Sequence, residues 1–358
     1  MDKLVDKQEI LRHIRAMEGE HFAFDEDAMF IEYQKREGER SNLVIKVLSV
    51  FGGILASLAF LGSLLLFELY DSPAGMLIVG GICIVAAIWL NKKIENLIID
   101  TFSVSIYVLG IVLLIIGMFS LELHEDLINL CVIAIALGCL FVTQNYILSF
   151  ISTLIVGGGI LLLIISKDLY GAIQAYIVLY ALILVYFFMA EAKLMTSSIQ
   201  ISKLYDPLRI GLVFSFLLGL VSLGKNDLVP ISYDSLWMSS LMIILIILYL
   251  IRDKVAALGI NSKKSVVWIY VLSVLTLLPT IFAPAISGSL LLVMLCFMVN
   301  YKTGLAIGII ALVYFVIQYY YDLNFTLLTK SIMLFVSGVL FLLFYVFLTK
   351  KIGANEKV

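Results

Sequence analysis

Residues 323–351, LNFTLLTKSIMLFVSGVLFLLFYVFLTKK, form a nearly unbroken hydrocarbon stretch with a single ammonium group, Lys330, near its start. A cation at the centre of a spanning helix costs about 2.5–3.5 kcal/mol, so an ionisable residue in such a run is a functional candidate by default. Lys330 with Ser337, and Ser331 with Gly338, are pairs seven residues apart that form one small, polar stripe expected to face neighbouring helices. The carboxylates of Asp322, Glu122, Glu125 and Asp126 are expected on the same side and would offset the charge. Gln144, Asn145, Gln174 and Gln318 add uncharged amides to other apolar runs, either as solute contacts or as interhelical glue. The chemistry these groups offer is ion pairing and contact with a small polar solute.

A second reading of Lys330 is geometric. The 19 residues from Lys330 to Thr349 cover about 28 Å at about 1.5 Å per residue, which puts the ammonium close to the outer boundary, where its stem would snorkel to water. Opposing this, the outer end of the segment is its N-terminus, where a cation is disfavoured by about 0.3–1 kcal/mol. A carboxylate contact would relieve that cost.

Residues able to run a reaction are not assembled in the sequence. His13, His21 and His124 are the only histidines, and none has metal-ligand spacing to another ligand. GLVSLGKN, residues 219–226, satisfies GxxxxGK but places Asn226 where magnesium needs a hydroxyl, and it closes an apolar helix instead of opening one after a strand. Cys83, Cys131, Cys139 and Cys296 all fall in apolar runs, without a disulfide framework or a zinc spacing. No serine or cysteine has a histidine at hand, and no cofactor is implied. An enzyme acting on a lipid-linked substrate would require Glu122, Glu125, Asp126 and Lys330 to gather in one outer cavity.

The elements that must position these groups are membrane helices. The chain is 62% hydrophobic and 14% charged, with a mean hydropathy of +1.10, far beyond the roughly 45–50% apolar share of soluble domains. Apolar runs fall near 44–67, 74–90, 101–119, 127–142, 147–165, 170–190, 210–223, 236–251, 265–279, 285–300, 305–320 and 327–349. The expected fold class is therefore all-α, a polytopic transmembrane bundle of about 12 spans within a range of about 10–14, some of them short or kinked. A β-barrel is excluded because its segments alternate apolar and polar residues.

Lysines and arginines concentrate on the cytoplasmic side of short loops. Here Lys92 and Lys93, Lys193, Lys203 and Arg209, Arg252 and Lys254, Lys302, and Lys350 and Lys351 fall in one alternating set. The other set carries the acidic ELYDS, LELHED and YYYDLN segments. The alternation predicts both termini inside. Trp89, Trp237 and Trp268, with Tyr319–Tyr321, sit at span ends, where aromatic rings favour the interface.

Residues 1–42 carry eleven acidic and seven basic side chains and read as a cytosolic amphipathic segment, available to a protein partner; residues 43–349 form the membrane domain and 350–358 a cytosolic tail. Membrane lipid is the expected surrounding partner. No basic patch with interleaved aromatics points to nucleic acid, and the oligomeric state is not encoded in any feature found. Gly52 and Gly53, Gly80 and Gly81, Gly157–Gly159, and Gly304 with Gly308 are expected to let helices approach closely, with the Gly157–Gly159 run able to loosen its helix.

The closing pattern YYYDLNFTLLTKSIMLFVSGVLFLLF, residues 319–344, resembles the last helix of a family of uncharacterised bacterial inner-membrane proteins classed as domains of unknown function. Tyr319, Tyr320, Leu327, Leu328, Lys330, Ser331 and Gly338 carry the resemblance, and the opening helix IKVLSVFGGILASLAFLGSLLLF is similar as well. The resemblance implies a multi-pass protein of the bacterial inner membrane and brings no activity with it. The expectation is a non-enzymatic integral membrane protein of unknown role, with a transporter or channel for a small solute or lipid as the alternative.

Overall fold

The computed structural model describes residues 72–93, 97–143, 145–224, 236–257 and 263–322, with isolated helical positions in 52–63 and 328–342. Among the described residues there is no strand. Seven helices are long and apolar enough to cross a membrane, and three shorter apolar helices accompany them. These ten match ten of the twelve apolar runs in order; the runs at 44–67 and 327–349 lie outside the described residues apart from isolated positions.

The chain divides into two compact units, Met1–Glu122 and Leu123–Val358. In the first, α1 (Pro73–Lys93) and α2 (Leu97–Ser120) pack as an antiparallel pair. Met76, Gly80, Ile84 and Ala87 form the buried face of α1. Its opposite stripe, Ile78, Ile82, Val85 and Trp89, is apolar yet exposed, the pattern of a helix whose outer solvent is lipid. Glycine sets the separation. A Cβ on Gly80 would meet the Gly110 carbonyl oxygen at 2.9 Å, and one on Gly110 would meet the Gly80 oxygen at 2.8 Å, so the two backbones touch where any side chain would hold them apart.

The second unit begins with α3 (Glu125–Val142), α4 (Tyr146–Ser166) and α5 (Tyr170–Met189). A short α6 (Glu191–Ser197) then leads into the long α7 (Ile199–Gly224), followed by α8 (Leu236–Ala257) and α9 (Lys263–Leu277). A 3-10 turn over Leu278–Phe282 connects α9 to α10 (Pro284–Met298), and α11 (Lys302–Asp322) ends the described part. The turn lies where Pro279 and Pro284 remove backbone donors, so the α-helix cannot continue through it. Leu184, Phe216, Leu220, Ile243, Leu291 and Leu295 are among the fully buried side chains that join α5, α7, α8 and α10 into one core.

The glycine run at Gly157–Gly159 serves helix packing and does not loosen its helix: α4 continues without interruption from Tyr146 to Ser166. Gly157 and Gly159 instead accept close neighbours, Ser215 and Ile133. GLVSLG, residues 219–224, ends α7, with Lys225 and Asn226 outside the described residues, and the space beside Gly219 is filled by the Tyr176 ring, 2.7 Å from where a Cβ would stand. Gly219 is thus a packing notch.

Candidate functional site

The polar centre of the described structure is Arg209, whose side chain is only 7% exposed. Its Nη1 donates to Glu191 Oε1 at 3.2 Å and its Nη2 to Asp206 Oδ1 at 2.6 Å. The guanidinium lies 3.8 Å from the Tyr301 ring centroid, 5.0 Å from Tyr205 and 5.8 Å from Phe188. Its Nε is buried with no hydrogen-bond partner. Glu191 and Asp206 are 30% and 56% exposed, so the cluster opens to solvent through its carboxylates while the cation stays covered. One guanidinium against two carboxylates leaves a net negative charge.

Each contributor is positioned by local chain chemistry. Ser198, in extended conformation, caps α7 by accepting the Ile201 N–H at 3.3 Å. Tyr205, Asp206 and Arg209 then follow at helical spacing, which puts the carboxylate three residues, and the ring four, from the guanidinium on one face. Tyr205 is anchored in turn by its hydroxyl, which donates to the Phe187 carbonyl at 2.9 Å. Glu191 opens α6, where a carboxylate suits the positive end of the helix.

Tyr301 is delivered by a helix stop. Asn300 adopts φ 56° after α10, the left-handed conformation that asparagine tolerates best after glycine, and the Tyr301 N–H then bonds back to the Cys296 carbonyl at 2.8 Å. Gly304 makes room for the ring: a Cβ there would collide with Tyr301 and stand 2.7 Å from Cys296 Sγ. Burial pushes the Tyr301 phenol up to about 12, with the Arg209 charge pulling the other way. The phenol therefore stays neutral against the cation at physiological pH.

A seam of small and polar residues runs between α4 and α7, which start at the same end. Asn145 caps α4, its Oδ1 accepting the Ile147 and Leu148 N–H groups at 2.9 and 3.2 Å. Tyr146, next in sequence, is close enough to interact with Asp206 and Arg209. Ser149, Thr153 and Gly157 continue one face of α4 at four-residue steps, and all three are buried. On α7, Gly211 abuts Thr153, and Ser215 abuts Gly157. Tyr176 of α5 ties the two together, its hydroxyl 3.2 Å from the Gly157 carbonyl oxygen and 3.1 Å from that of Ser215.

The residues singled out from sequence meet different fates. Gln174 is buried, at 7% exposure, on α5. Ser331 is an isolated helical position and is exposed, and Asp322 ends the backbone of α11. Lys330 and Gln144, with the side chain of Asp322, lie outside the described residues. Asp126 pairs with Lys167 and accepts a hydrogen bond from Ser166 Oγ at 3.0 Å. Gly308 receives Val293 of α10, as a helix-packing motif should, whereas Gly304 seats a ring. Arg209 was counted only as a marker of membrane side; the signal that could have found it is YDPLR, residues 205–209, in which a ring, a carboxylate and a guanidinium share one face just as the apolar run begins.

The family described as Domain of unknown function (DUF4401) matches residues 42–351. No curated protein and no solved structure matches the chain.

Proposed function

This chain belongs to that family of domains of unknown function, and from that premise we propose that it is a multi-pass protein of the bacterial inner membrane that moves a small solute along a path closed at its cytoplasmic end by the Arg209 cluster. The observation that carries this reading is a covered guanidinium shared by Glu191 and Asp206 and roofed by Tyr301, drawn from three separate parts of the chain. A covered guanidinium at the end of a membrane bundle is a functional candidate, because desolvation offsets much of the attraction that would make it merely stabilising. A protein needing only mechanical closure would be served by leucine. The lysines and arginines near this end support a cytoplasmic position for it.

The reading requires that the cluster open. Cys296 lies fully buried beneath Gly304 and Tyr301, so it reports opening directly. In a variant with Cys83, Cys131 and Cys139 replaced by serine, N-ethylmaleimide should alkylate Cys296 slowly but measurably in native membranes. A Cys296 that remains unlabelled until the protein is denatured would sink the reading and leave a sealed structural bundle.

A further inference from the structure

The α4–α7 seam behind the cluster holds an arrangement that helix packing alone does not need. Around Gly157, five oxygens converge from three helices. They are the Gly157 carbonyl, the Ser215 carbonyl and hydroxyl, and the hydroxyls of Tyr176 and Tyr180. Tyr176 Oη is within 3.2 Å of both carbonyls. Tyr180 Oη would lie 3.2 Å from a Cβ on Gly157, with Ser215 Oγ closer still. The two tyrosine rings are 4.3 Å apart. The Ser215 hydroxyl is fully buried and has no hydrogen-bond partner, and neither has that of Ser149 two steps along the same seam. Buried hydroxyls are nearly always paired, so two orphans on one interface are a signal.

Position and charge narrow the ligand. Gly157 is the twelfth of the 21 residues of α4, which puts the oxygens about 17 Å from the cluster end of a helix about 31 Å long, near the middle of the bilayer. All five are neutral oxygens; the Tyr176 hydroxyl already donates toward the Gly157 and Ser215 carbonyls, so the lone pairs left open are those of the three hydroxyls. Such a set suits a partly dehydrated monovalent cation, whereas a divalent ion would call for carboxylates.

We propose that the Gly157–Tyr176–Tyr180–Ser215 oxygens form a binding site for a monovalent alkali cation, reached past the Arg209 cluster. This rests on the solute-path reading and names the class of solute, or of coupling ion, that the path carries.

The test is thermal unfolding of the purified full chain in lithium, sodium, potassium or N-methylglucamine chloride at equal ionic strength. We expect one alkali cation to raise the midpoint, by on the order of 3 °C for each tenfold rise in concentration above half-saturation of the site. Ser215→Ala and Tyr180→Phe should each raise the half-saturating concentration by tenfold or more; Tyr180→Phe keeps the ring and serves where Ser215→Ala does not fold. Ser240→Ala removes a hydroxyl that is also buried and unpartnered but belongs to α8, and it should leave the response unchanged. Equal midpoints in all four salts, or a response that Ser215→Ala and Tyr180→Phe retain, would overturn the proposal. Cys296 labelling separates the two ideas, because an opening cluster without a cation response leaves the path but removes this site, while a cation response over an unreactive Cys296 does the reverse.

Discussion

Arg209 contributes to the fold only in company. Removing it strands Glu191 and Asp206 at a partly buried position, and removing one partner of a buried pair typically costs about 3–5 kcal/mol. Arg209→Ala should cost less than that range, because both carboxylates reach solvent and are not left as buried charges; the midpoint of thermal unfolding in detergent checks it. Arg209→Lys keeps the charge but cannot donate in a fork to two carboxylates while stacking on Tyr301, so it should recover less than half of the loss. Full recovery by lysine would mean that charge alone matters there. Gly304→Ala tests the roof independently: the new methyl would displace the Tyr301 ring and should make Cys296 react faster with N-ethylmaleimide. At this scale the sequence was least legible. Hydropathy marks where charges lie along a run but not which of them turns inward, and the Glu191 partner of Arg209 is eighteen residues away, beyond any helical spacing rule.

Helices were far easier to read than sites, because a lipid-crossing helix needs about 20 apolar residues and declares itself by composition. The ten described apolar helices follow the expected runs closely, including the interruption between α9 and α10. What hydropathy missed were the polar additions, the short α6 and the first eleven residues of α7, which are too polar to declare themselves by composition. Glycine was half legible. Its role in close approach holds at Gly80 and Gly110, but whether a glycine bends a helix or merely receives a neighbour depends on what lies opposite. Gly110→Val should therefore force α1 and α2 apart and lower stability by roughly 1–3 kcal/mol, read as a lower unfolding midpoint. Gly158→Ala, where no atom lies within 4 Å of the added methyl, should leave the midpoint unchanged or slightly raised.

As a whole the molecule is a helical membrane protein whose second unit is polar at one end and along one seam among its described residues. The ends that meet at Arg209 are those that the lysine and arginine alternation groups together, since Lys193, Lys203 and Lys302 belong to the same set. The central claim is that the Arg209 cluster is a closure and not a rivet. Lys193 and Lys302 are both exposed, beside Glu191 and Tyr301 respectively, and in a cysteine-free background their replacement by spin-labelled cysteines measures the opening in lipid by pulsed electron paramagnetic resonance. A closure gives a main distance and a longer minor one in the otherwise unaltered protein, with Arg209→Gln shifting the balance to the longer. One narrow distance, the same with and without Arg209, would contradict it.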